Sequence, residues 1–73
     1  MSLTRRLMWP KTGEEVQIFE NGSLVVEGHV TYSGDDEVRI LTREAETTIL
    51  DANQLLTGID NRSVMVKKKA RRA

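Results

Sequence analysis

A mostly β fold, a small barrel of five short strands with one helical turn, is what this 73-residue sequence predicts. Three observations carry that expectation. Apolar residues alternate with polar ones across residues 13–66, the period of strands with one buried face. An Asn-Gly pair sits between two β-forming runs. Turn-forming residues recur at short intervals, so no segment is long enough for a helical bundle.

Trp9-Pro10-Lys11-Thr12-Gly13 opens the chain irregularly, because Pro10 disfavours helix at Trp9 and Gly13 marks a turn. Glu15–Glu20 and Ser23–Glu27 then flank Asn21-Gly22. Both turn residues tolerate the positive φ of a type I′ turn, which predicts a hairpin with Phe19 opposite Leu24. The second strand runs on through Gly28 to Tyr32, with Gly28 at a bend or bulge where the strand changes partners. A three-residue loop, Gly34-Asp35-Asp36, pairs Ser33 with Glu37, Tyr32 with Val38 and Val30 with Ile40, matching apolar to apolar. A four-residue loop over Arg43–Glu46 then pairs Thr42 with Thr47 and Ile40 with Ile49. Asp51 is placed as the N-cap of one short helical or 3-10 turn. Thr57–Arg62, with Gly58 and an Asp-Asn pair, reads as a turn, and Ser63–Val66 as the last strand. Five such strands bury their apolar face best by curling around Val16, Ile18, Val26, Val30, Val38, Ile40, Ile49, Leu55 and Val64. The organisation expected is an irregular segment over 1–12, one barrel over 13–66 and a disordered basic tail over 67–73.

Charge is distributed unevenly although eleven Lys and Arg balance eleven Asp and Glu. All eleven acids lie within residues 12–66, against only Arg39, Arg43 and Arg62. Arg5, Arg6 and Lys11 precede that acidic body; Lys67, Lys68, Lys69, Arg71 and Arg72 follow it. The absence of cysteine excludes a disulfide framework and thiolate metal sites, and fits a reducing, cytoplasmic setting. Apolar runs are four residues or fewer, against about 20 for a membrane-spanning helix, so no membrane partner is expected. The charged N-terminus lacks the apolar stretch of a secretory signal.

The order of strand, Asn-Gly turn, long bent strand, acidic turn, two strands, helical turn and final strand resembles SH3-like and Sm-like small barrels as a class, over residues 13–66. Asn21-Gly22 followed by Gly28 is similar to the Sm-like RNA-binding proteins. Leu3-Thr4-Arg5-Arg6 and Val38-Arg39-Ile40 resemble strands of the carbon storage regulator. The residues those families use for RNA lack counterparts here, since Asp51-Ala52-Asn53 stands where a Tyr-Lys-His signature or an arginine would fall. The resemblance implies the barrel class and no specific family, and fold alone says little of activity.

No catalytic constellation, metal motif or cofactor motif is present, which argues for a binding module and not an enzyme. His29, the only histidine, falls on the polar face without a partner for general-base or ligand work. Asp35, Asp36 and Glu37 read as a solvated turn, or as a face for a basic partner. Trp9 reads as packing across an open barrel end, or as an interface anchor. Phe19 and Leu24 form an outward apolar pair suited to a protein partner.

Arg5, Arg6, Lys67, Lys68, Lys69, Arg71 and Arg72 form a set that would attract phosphate in a salt-dependent way, or would merely offset the acidic body. Three functions follow as expectations. The first is a nucleic-acid-associated regulator, of RNA or DNA, using its basic ends. The second is a protein-interaction module docking on a larger machine through Trp9, Phe19, Leu24 and the acidic loops. The third is a homo-oligomer built by edge-strand pairing.

Overall fold

A computed structural model describes residues 8–69. Five strands, β1 (Glu15–Glu20), β2 (Ser23–Ser33), β3 (Glu37–Leu41), β4 (Thr47–Asp51) and β5 (Val64–Lys68), form one antiparallel sheet in the order β4-β3-β2-β1-β5. One helix, α1 (Ala52–Asp60), lies between β4 and β5 in sequence and packs against β3, β4 and β5. No ladder joins β4 to β5, so the sheet is open between them. Among the described residues no helix is long and apolar enough to cross a membrane.

The first hairpin forms as the sequence predicts. Asn21 and Gly22 take φ of +50° and +86°, the two positive values of a type I′ turn. Phe19 stands opposite Leu24. Ile18, however, faces Val26, so Val25 is an extra residue on β2. That bulge is what lets Leu24 point outward while Val26, two positions on, points into the core. A second irregularity lies further along β2, where Val30 pairs with Ile40 but Tyr32 pairs with Arg39, leaving Thr31 extra.

β2 changes partners at His29, which pairs with Glu15 on one side and Leu41 on the other. Gly28 sits at that crossing. A Cβ there would run into the Leu41 carbonyl oxygen and the Ile40 side chain, so the close approach of β3 requires glycine.

The core is formed by Val16, Ile18, Val26, Val30, Val38, Ile40, Leu55, Ile59 and Val66, with Met8, Trp9, Leu50 and Val64 packed against it. Val16, Val30, Val38 and Ile40 are fully excluded from solvent, at 0 % exposure. Alternation along β1, β2 and β3 therefore places the inward face where the sequence predicts it.

Four expectations are corrected. The β2–β3 loop is not the three-residue Gly34-Asp35-Asp36 loop: Gly34 N donates to the Glu37 carbonyl oxygen at 2.9 Å, and Ser33 pairs with Val38. The Thr31 bulge absorbs the shift and restores Val30 to Ile40, turning Tyr32 outward. The β3–β4 connection is also one residue shorter than expected. Thr42 N donates to the Glu46 carbonyl oxygen at 2.9 Å, and Ala45 takes a φ of +63° to close the loop.

Since strand period is two, that single-residue slip reverses every β4 side chain. Ile40 faces Thr48 instead of Ile49, Leu50 packs on the core, and Ile49 is 60 % exposed. The helical turn expected after Asp51 is a nine-residue helix that absorbs much of the predicted 57–62 turn. Asp51 does cap it, accepting from Gln54 N at 3.0 Å. Finally, Lys67 and Lys68 belong to β5, opposite Gln17 and Val16, and not to a disordered tail. Of the irregular segment expected over 1–12, residues 1–7 lie outside the described residues, as do residues 70–73 of the tail.

Candidate interaction face

Strand alternation sends one set of side chains to the core and leaves the other on the outer face of the sheet. Cross-strand pairing then builds rows on that face. The first row is Met65 on β5, Phe19 on β1 and Leu24 on β2, aligned by register. Met65 is 52 % exposed and Leu24 48 %, with Phe19 half-buried between them. The Lys67 Nζ stands 5.4 Å from the Phe19 ring centroid, a cation–π distance that covers part of the aromatic face.

The next row is polar. Lys67, Gln17 and Glu27 align across the same three strands. Gln17 Nε2 donates to Glu27 Oε2 at 2.7 Å, and Lys69 Nζ lies 3.3 Å from the same oxygen. The Gln17 hydrogen bond first, and Lys69 second, hold the Glu27 carboxyl below the usual carboxylate range. Lys68 Nζ meets Glu14 Oε1 at 3.3 Å. Two of the three described tail lysines are thus engaged by carboxylates of the acidic body, and the third lies over an aromatic ring.

A second exposed row, with a charge at its centre, crosses the other end of the outer face. Tyr32, Arg39 and Ile49 align on β2, β3 and β4, with Leu41 beyond them. Arg39 stacks on Tyr32 at 5.0 Å from the ring centroid and is paired with Glu37. Asp35 and Asp36 are exposed at the adjoining turn, and the Asp36 carbonyl oxygen accepts from Ala52 N at 3.0 Å, tying the turn to the start of α1.

The remaining predicted site residues separate. Trp9 is partly buried with Met8 against the core, far less available than an exposed anchor would be. Arg5, Arg6, Arg71 and Arg72 lie outside the described residues. Sequence reasoning missed Met65 and Ile49. Met65 was open to discovery, since inward Val64 and Val66 leave it outward by alternation. Ile49 was hidden by the β4 slip.

Two concave features accompany the face. A slot of about 100 Å³, lined by Ile18, Val25, Leu50, Leu55 and Val64 together with Glu20, Asp51 and Gln54, lies where β4 and β5 fail to meet. A wider open groove between residues 24–27 and the β3–β4 turn is lined by Glu27, Arg43, Glu44 and Glu46 among others. Among the described residues no group of three or more His, Asp or Glu side chains is placed to hold a metal ion. Compared with protein-family models, curated proteins and solved structures, the chain matches none.

Proposed function

We propose that this chain is a non-enzymatic docking module, a small barrel of the SH3-like or Sm-like kind that binds a larger protein through its outer sheet face. The order β4-β3-β2-β1-β5, the two bulges in β2 and a helix bridging the open side support the barrel reading. The observation that carries the docking reading is the row Met65–Phe19–Leu24, three large apolar side chains aligned on one surface with Lys67 at its flank. Interfaces are anchored by such clusters of aromatic and Met side chains within a polar surround. The ion pairs Lys68–Glu14 and Lys69–Glu27 favour this over phosphate binding, because a phosphate would have to displace a carboxylate already in place.

The test is a pull-down with the full chain, with and without nuclease, in parallel with a Leu24→Lys variant. Retention of one protein by the native chain after nuclease, and its loss in Leu24→Lys, is the expected result. A partner that disappears on nuclease treatment would overturn the reading in favour of nucleic acid. That second reading rests on Lys67 standing beside an aromatic ring on an outward face, a pairing that suits a stacked base and its phosphate. It requires binding that collapses between low and high salt.

A further inference from the structure

The row Met65–Phe19–Leu24 is narrow in one direction and polarised in the other. Three neighbouring strands supply one apolar side chain each. Adjacent strands lie about 4.8 Å apart, so the row spans about 10 Å across the strand direction. Along the strands it is one side chain deep. Lys67, Gln17 and Glu27 form the next row on one side, and the exposed Asn21-Gly22 turn lies on the other. A partner aligned with the strands would set apolar groups on polar ones. Only a partner laid across the strands keeps to the row.

Spacing then separates the two regular forms a partner segment can take. An α-helix rises 5.4 Å per turn, so apolar side chains at i, i+4 and i+7 cover about 10 Å, the length of the row. Alternate side chains of an extended strand stand about 6.7 Å apart, and three of them would span about 13 Å and overrun it. A second copy of this chain offers no such stripe. Its own α1 buries Leu55 and Ile59 and exposes Asn53, Gln54 and Thr57.

The two ends of the row carry opposite charge. At the Met65 end, exposed Lys67 stands over the Phe19 ring, and exposed Arg62 lies in the turn that leads into β5. At the other end the row opens, at Leu24 and Val25, into the groove lined by Glu27, Arg43, Glu44 and Glu46. Three acids face one base there. Glu27 is already held by Gln17 and Lys69, which leaves Glu44 and Glu46 exposed to meet a partner.

Resting on the docking role of this face, we infer that its partner is an amphipathic α-helix of another protein, laid across β5, β1 and β2. Its apolar stripe covers Met65, Phe19 and Leu24. Its acidic side chains lie over Lys67 and its basic ones over Glu44 and Glu46. A helix with one sign of charge throughout is repelled at one end of the row, so the polarity selects the partner and fixes its direction.

Fluorescence anisotropy of labelled synthetic peptides, titrated with the full chain at low salt, tests this. The probe carries leucines at helical spacing, glutamates at one end and lysines at the other. It should bind, gain helical circular dichroism on binding and weaken as salt rises. Lys67→Glu and Glu46→Lys, both at exposed positions, should each weaken it about fivefold, and Leu24→Lys should release it. A peptide of the same composition with alternating leucines, and a helix-spaced one with glutamates alone, should bind more weakly than the probe. Equal binding of either control, displacement of the probe by a short oligonucleotide, or no binding of the probe would overturn the inference. The docking face itself fails on a different result, a Leu24→Lys chain that still retains the partner captured in the pull-down.

Discussion

The centre and the margins of this sheet are built from the same residue types, yet they do different things. Strands β1, β2 and β3 form the middle of the sheet, and all three are paired on both sides. Their inward residues Val16, Val30, Val38 and Ile40 are wholly excluded from solvent. At the margins, Leu50 and Val64 are half-covered, Ile49 and Met65 are exposed, and a slot opens between the two strands. A chain this short buries only about 60 % of its surface on folding, so its few fully buried side chains carry most of the stability. The margins are left exposed.

Removing a central side chain should therefore cost most. Ile40→Ala should lose about 2–5 kcal/mol, enough to unfold much of a marginal domain, and Leu50→Ala clearly less; urea titration of both variants checks the ranking. Equal losses would erase the distinction between centre and margin. Gly28→Ala comes next, at about 1–3 kcal/mol, because the added methyl meets the Leu41 carbonyl where β2 changes partners. Asp51→Ala should cost about 1 kcal/mol by leaving the first turn of α1 uncapped, read as a lower thermal midpoint.

Ile49→Lys should change stability by no more than about 0.5 kcal/mol, because the side chain is exposed at the margin of the sheet. The smallest effect is expected at Glu27. Its carboxyl titrates below the usual range in the folded state, so its contribution is present above the unfolded-state pKa and disappears as pH falls through the folded value. Glu27→Gln should flatten that acid limb slightly, in a pH series of thermal midpoints.

The centre was also the more legible region. Asn21-Gly22 announced its turn, and the alternation of Val16, Ile18, Val30, Val38 and Ile40 assigned their face without help from tertiary structure. At the margins the signals were missing or misleading. Ala45 adopts a left-handed φ with no glycine or asparagine to advertise it, so the sequence pattern predicts a loop one residue too long and an inward Ile49. Gly58 reads as a helix breaker in isolation. In the fold it lies inside α1 because a Cβ would collide with the Val64 side chain, so packing against β5 selects glycine there. The run of lysines reads as a solvated tail, but Glu14 and Glu27 across the sheet engage Lys68 and Lys69 at the end of β5. Each of these depends on a partner distant in sequence, which local patterning does not contain.

Amide hydrogen exchange tests the contrast between centre and margins most directly. Amides of β2 should be the slowest, while those on the outer edges of β4 and β5 should exchange clearly faster. Protection in β4 and β5 that equals that of β2 would contradict the account.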